Sequence, residues 1–563
     1  MKTPRLEWRS AHWLLLFLLL VAWVCYLPAL HATFFSDDNL YLSYKNAALR
    51  DAHWTDLGRF FLSPGNPWEY LPLRDVTYWL DFQLYEDESV GFHLTNLLWY
   101  AAASAVVWWL IRELLLLCGT VKMGDASTFA LIGAVIFAAH PAHVEAVAWI
   151  ASRKDLVGGT LGMVVLAFAV RFARSDTGAL PWGLLGALLL IASFGKSTAM
   201  VLVVMVAAVI LAAWNLKHRE ERSRLGVGLL LVFVPAVVAL FIHSTVAANT
   251  GIRLENEIGG LAMIERGSRI LVQLIWMLVF PSSLGFYHDP YSLGEWHWLL
   301  SLIALLLNGA ALISLCVRPQ LWAFGILLIS VSLLPYLQFV PYSTWSLASE
   351  RFLFVAVAGV AMIATDLASR VRTPRTVLVL LLAIMALCAV VILERLEDWR
   401  SVDQLRAAEQ DRLPDFHNSK RDLIVYQLLP DRQYEVAVAV AASLPRDYVR
   451  DLMKAYVDYR EVSDVGCLSG LKGFPDLIRS REVVVWAAVS RAQAAIRTEP
   501  DLSLNNIVRW VEQNMPQRNA AIRCRDQLSS FGSTMATQSD NRSPARGELE
   551  KRSAGLLRLQ PVS

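Results

Sequence analysis

The chain has 563 residues, of which 56% are hydrophobic and 18% charged, with 20 Trp and a mean hydropathy of +0.44. This is too apolar for a water-soluble globular protein and is the composition of a membrane protein, because about 20 apolar residues make one helical crossing of a ~30 Å hydrocarbon core. Its 51 basic and 49 acidic residues leave a net charge of +2, without the basic field that nucleic-acid binding requires. A β-barrel and a disordered chain are excluded on the same composition, and the expected class is an all-α polytopic membrane protein.

Apolar runs follow one another along the chain. The first, 12–30, comes after Lys2, Arg5 and Arg9 and is longer than a signal-peptide core, so it reads as an uncleaved anchor with a cytoplasmic N-terminus. Ten more spans are expected at about 92–111, 129–139, 156–172, 180–194, 198–216, 225–245, 298–317, 321–339, 352–368 and 376–393. One further run, 270–284, is placed by charge. Cytoplasmic loops carry the excess of Lys and Arg, and both Lys217, Arg219, Arg222, Arg224 and Arg370, Arg372, Arg375 fall on that side only if 270–284 does not cross. It then reads as re-entrant, or as a helix broken at Pro281. Eleven crossings put the C-terminus outside.

That topology gathers the polar segments onto the outer face. The first outer loop, 31–90, carries ten acidic residues yet keeps many aromatics, so it is expected to be folded against the membrane. Beyond Glu394 the sequence becomes charged and helix-favouring, with amphipathic spacing at 434–444 and 483–497. A helical, degenerate-repeat outer domain is expected over 396–531 and a disordered tail over 532–563. Cys467 and Cys524 lie in this part and pair only in an oxidising compartment.

Candidate chemistry starts with Asp37 and Asp38, directly after the first span. Charge at a membrane boundary tends to mark function, while the plainer alternative is a helix cap. His140, His143 and Glu145 approach one helical face, a spacing looser than established zinc motifs; the alternative is a Pro-initiated helix whose histidines bond to neighbouring loops. Arg153 and Lys154 are basic residues kept outside against the usual bias, which suits an anionic headgroup such as phosphate; snorkelling is the alternative. Lys196 interrupts an apolar stretch without the upstream glycine of a phosphate-cradling loop. With Arg351 it could share an anionic site with Arg153 and Lys154. His288 and Asp289 could line the same cavity, or form the turn that Asp289-Pro290 favours.

The segments His140-Pro141-Ala142-His143-Val144-Glu145-Ala146-Val147-Ala148, Phe92-His93-Leu94-Thr95-Asn96-Leu97-Leu98 and Ser349-Glu350-Arg351-Phe352-Leu353-Phe354, with Asp37-Asp38 after the first span, resemble the transmembrane O-mannosyltransferases that carry tetratricopeptide repeats, and their bacterial homologues. The resemblance runs from about residue 10 to 395. It departs at Leu71-Pro72-Leu73, where the family commonly has Arg-Pro-Leu and this chain has Arg74 next; at Tyr100, where the family has His; and at Lys196-Ser197-Thr198, which lacks an acidic residue. It implies a GT-C-like catalytic domain over 1–395 that takes a polyprenyl-phosphate-linked sugar on the non-cytoplasmic face.

On that reading Asp37 is the base that deprotonates an acceptor hydroxyl, with Asp38 orienting the acceptor or capping. Arg153, Lys154, Lys196 and Arg351 hold the donor phosphate. Arg74, His140, His143, Glu145, His288, Asp289 and Glu350 contact the acceptor or support these groups. The residues do not require a divalent metal and leave one open. Expected partners are the lipid-linked donor and a protein or glycan acceptor, with protein docking on the C-terminal domain. A solute transporter is the competing class; it predicts charges near mid-membrane and pseudo-repeated halves, whereas here the polar residues collect at one face. The lack of an organelle-retrieval signal at Pro561-Val562-Ser563 leans the location to a bacterial inner membrane.

Overall fold

The computed structural model describes residues 8–35, 38, 47–62, 69–175, 177–214, 219–249, 259–339, 346–371, 373–428, 436, 440 and 443–444. Asp37, Cys467, Cys524, the stretch 483–497 and the tail 532–563 lie outside the described residues, as does most of 434–444. Residues up to Leu423 form one compact unit and those from Ile424 a second.

Every described element is helical. α1, Trp8–Val24, leads through a short turn into the 31–90 loop. α2, Pro72–Tyr85, starts on Pro72, whose missing N–H costs nothing in a first turn. It buries Arg74, Asp75, Tyr78, Asp81 and Phe82, one stripe at helical spacing, so it lies against the bundle by a polar face and does not span. α3, Ser89–Cys118, has 30 residues and ends where Gly119 takes a left-handed φ of 63°, a conformation glycine adopts without strain. α4, Ala126–Ala138, cannot continue past Pro141, which has no N–H to give. Here His140 caps the next turn by accepting from the Ala142 N–H at 3.2 Å, and the short helix α5, Val144–Ala148, departs at 59° to α4.

α6, Arg153–Arg174, and α7, Ala179–Gly195, form the next pair. They are followed by α8, Val203–Trp214, and α9, Arg219–Asn249. α10, Gly260–Val279, stops just before Pro281, within the run expected to be broken there. α11, His297–Val317, α12, Leu321–Leu333, α13, Phe354–Arg370, and α14, Pro374–Asp398, complete the bundle. The charged helices α15, Val402–Arg412, and α16, His417–Asp422, belong by contact to this first unit.

By length and composition eight described helices can cross a membrane, or nine if the bent pair of α4 with the segment Pro141–Ala148 is one span; the apolar segments Ala179–Gly195 and Leu321–Tyr336 are shorter. The chain is an integral membrane protein. α12 and α13 approach closely: a Cβ on Gly359 would stand 2.5 Å from the Gly325 carbonyl oxygen, and one on Gly325 2.6 Å from that of Gly359. Small residues at such crossings let backbones touch where lipid supplies no hydrophobic push. Peripheral α11 has only 11% of its apolar window buried and turns the rest outward, as a lipid-facing helix does.

The polar contacts sort to two ends of the bundle. At one end the α3 residue Glu113 pairs with Arg112 and with Arg174 of α6, and Asp366 pairs with Arg370 at 2.6 Å. At the other end meet the C-terminus of α4, the N-termini of α6 and α13, the C-termini of α7 and α14, and the start of the 31–90 loop. The candidate residues described below are at this second end.

Candidate functional site

Two ion pairs and one cleft form the centre of this end. Lys196 follows the last turn of α7, where the chain turns against α6. The turn is tight: a Cβ on Gly158 would lie 2.5 Å from the Lys196 Cβ, and one on Gly195 would lie 3.1 Å from the Gly158 nitrogen. The Lys196 ammonium is thereby held on Asp155 Oδ1, in the first turn of α6. It also faces the rings of Tyr336, at 5.3 Å, and Phe352, at 5.7 Å. Those two rings stack at 4.0 Å and 8°.

Arg351, in the turn before α13, makes the second pair. Its guanidinium bonds Glu145 Oε1 and its own backbone N–H donates to Glu145 Oε2 at 2.9 Å. Glu145 is fully buried in α5, so the α4–α5 bend at Pro141 is what brings this carboxylate to Arg351. Asp155, Lys196, Thr198, Ser332, Tyr336 and Arg351 supply the polar lining of a small, partly open cleft, and Val201, Leu202, Phe354 and Val355 are among its apolar lining residues. Among the described residues Asp155 Oδ2 is buried without a hydrogen-bond partner.

Phe35 and Asp38, at the start of the 31–90 loop, reach the same place. Asp38 is buried and braces the loop entry, its Oδ2 accepting from the Phe35 N–H at 3.0 Å and its Oδ1 from the Ala151 N–H at 2.6 Å. The Phe35 carbonyl accepts from the Trp149 indole at 3.2 Å, and the Arg351 guanidinium lies 4.9 Å above the Trp149 ring. Asp38, the neighbour of Asp37, is thus joined to Arg351 through two residues.

The other candidates are engaged elsewhere. Arg153 has no exposed surface and does not line the cleft. Its Nε donates to Asn96 Oδ1 at 2.7 Å and its Nη2 to the Phe92 carbonyl at 2.7 Å, and it pairs with Asp81, bolting α6 to α2 and α3. Lys154 donates to Glu69 at 2.6 Å, which also accepts from Arg74 at 2.7 Å. Arg74 in turn donates to Asp75 at 2.9 Å. Burial raises the Glu69 carboxyl pKa, but Lys154 and Arg74 outweigh it and hold the carboxyl well below the usual carboxylate range.

His140 Nε2 contacts the Leu278 carbonyl at 3.1 Å, so α10 docks on the bend. His143 is enclosed by Tyr100, Phe137 and Phe354. Asp289 caps the turn at Tyr291 N, 2.9 Å away. Glu350 accepts from Arg395 at 3.0 Å. His288 is buried; burial, then repulsion from Arg395 and Arg412, push its pKa down to about 3 against a backbone hydrogen bond to Gly285 that raises it. Among the described residues no three His, Cys, Asp or Glu gather closely enough to hold a metal ion.

The sequence places Asp155 in the cluster after Arg153 and Lys154 but gives no role to it or to Tyr336. Asp155 sits two residues beyond Arg153, and only folding shows that Lys196 is its partner, 41 positions away.

With that geometry in view, sequence comparison supplies a relationship. The chain is similar to protein O-mannosyl-transferases. One from Caenorhabditis elegans is 28% identical over 163 residues, covering 28% of this chain and 23% of that protein. One from Drosophila melanogaster is 29% identical over 237 residues, 37% of this chain and 23% of that protein. A human one is 27% identical over 166 residues, 28% and 19% of the two chains. The matched part therefore spans about a quarter or less of these relatives' length. No family model and no solved structure matches the chain.

Proposed function

We propose that this chain is a glycosyltransferase that moves a sugar from a polyprenyl-phosphate-linked donor to a hydroxyl acceptor, a protein Ser or Thr, on the non-cytoplasmic face of a bacterial inner membrane. One observation carries the reading: Lys196 and Arg351 converge on one cleft that apolar side chains also line, the combination a phosphate on a lipid chain would require. The similarity to protein O-mannosyl-transferases supports the choice of sugar transfer to protein.

The chemistry is a single displacement. The acceptor oxygen attacks the anomeric carbon from the face opposite the phosphate, the bond from that carbon to the phosphate oxygen breaks, and its electron pair leaves with the polyprenyl phosphate. Asp37 takes the acceptor's proton as the new bond forms. Lys196 and Arg351 stabilise the charge growing on the departing phosphate. Asp155 and Glu145 hold those two cations in place until the donor arrives. Asp38, whose two oxygens accept the Phe35 and Ala151 backbone N–H groups, fixes Phe35 beside Trp149.

The test is to incubate membranes containing wild type or Asp37→Asn with radiolabelled polyprenyl-phosphate sugars and follow the label. Transfer into protein by wild type, reduced at least about 100-fold by the substitution, is expected for loss of a general base. Label that reaches only lipid or glycan would replace the protein acceptor, and full activity in Asp37→Asn would remove Asp37 from the mechanism.

A further inference from the structure

Helix α15 is too charged to enter the membrane, yet one of its carboxylates is buried inside the first unit. Its N-terminus is capped by Ser401 Oγ, which accepts from the Gln404 N–H at 3.2 Å, so it starts afresh after α14. Leu405, Glu409 and Arg412 then share one face, at helical spacing. Glu409 is 2% exposed. Its Oε1 accepts from the Phe286 N–H at 2.7 Å and its Oε2 from the Tyr287 N–H at 3.0 Å, two consecutive amides of a strap with no helix of its own to satisfy them. Arg412 donates to the Leu284 carbonyl and bonds Asp398 at 3.0 Å. The two side-chain ends lie close over Gly285: a Cβ there would stand 2.5 Å from Arg412 Nη1 and 3.2 Å from Glu409 Oε2.

Two routes lead from Glu409 to Arg351. The first is through rings: Phe286 packs on Phe35 at 5.2 Å, on Trp149 at 5.6 Å and on Trp399 at 5.7 Å, and Trp149 lies beneath the Arg351 guanidinium. The second is through charge: Arg395 lies 3.9 Å from Glu409 and donates to Glu350, the residue before Arg351. Isolated charges are costly to bury, and packed rings transmit displacement because the interior has no slack to absorb it.

We propose that α15 is a clamp that sets the cleft, with Glu409 as the positioning residue that holds the 284–287 strap and, through it, Arg351. The link to turnover rests on the glycosyltransferase reading above; the link to cleft geometry does not.

The test is hydrogen exchange on the full chain in detergent, with Glu409→Ala and the milder Glu409→Gln. The Phe286 and Tyr287 amides report the clamp, the Arg351 amide, which donates to Glu145, reports the cleft, and amides within α3 report the intact bundle. Loss of hydrogen bonds to a charged acceptor is expected to speed exchange at 286–287 by about ten-fold or more and at Arg351 measurably, with α3 unchanged. Should Glu409→Ala lose α3 protection as well, Glu409→Gln carries the comparison. Unchanged exchange at 286–287 would overturn the clamp, and fast exchange there with an unchanged Arg351 amide would overturn the positioning role. If wild type transfers sugar, Glu409→Gln should lower kcat with KM for the acceptor nearly unchanged. An equal kcat would overturn the link to turnover, while absence of transfer by wild type would fail the glycosyltransferase reading and leave the exchange result standing.

Discussion

A buried ion pair is informative chiefly through what happens when one half is removed. Arg351→Ala leaves Glu145 charged and fully enclosed, a change that typically costs about 3–5 kcal/mol. Thermal unfolding in detergent should show that loss, and adding Glu145→Gln should recover most of it without restoring sugar transfer. His288 gives a pH-dependent counterpart. Its native pKa is about 3 against about 6.5 when exposed, so between these values the unfolded chain binds more protons than the folded one and stability rises with pH. Protection at the strap should therefore weaken as pH falls from 7 to 5, by up to about 2 kcal/mol from this residue. His288→Asn should remove that component, and an identical pH profile in the variant would refute it.

At this scale the sequence showed charged residues at a membrane boundary but not their partners. Arg153 and Lys196 read alike in sequence, yet one is consumed by Asp81, Asn96 and the Phe92 carbonyl and the other lines the cleft. Each partner is at least 41 positions away in the chain, so spacing rules that work within a helix could not find it.

Among the elements, hydropathy made the long helices legible, and the Pro141 and Pro281 breaks could be read from missing N–H groups. The amphipathic α2 was hidden inside a loop described only as aromatic-rich. The packing of α15 onto the strap was equally hidden, because the composition change at Glu394 marks where lipid contact ends and not where the compact unit ends. The close α12–α13 crossing yields a prediction about α13, whose N-terminus follows Arg351: Gly359→Leu must push α12 and α13 apart. Overpacking of this kind costs about 1–3 kcal/mol, so the variant should unfold at lower temperature than wild type, whereas the same change at solvent-open Gly178, where nothing lies within 4 Å of a Cβ, should not.

Across the whole molecule, the two polar ends make a sidedness claim. A single cysteine at Glu295, which is 81% exposed, should react with an impermeant thiol reagent from outside in a background lacking the six native cysteines. One at Met123, 75% exposed, should react only after permeabilisation. The central claim is that the Lys196 ammonium holds a lipid phosphate. It is tested most directly by the affinity of purified protein for polyprenyl phosphate itself, comparing wild type with Lys196→Met/Asp155→Asn, which keeps the cleft's net charge unchanged. Loss of a charge-assisted contact worth about 1.5–3 kcal/mol predicts binding at least ten-fold weaker in the double variant. Equal affinity in the two proteins would contradict the claim.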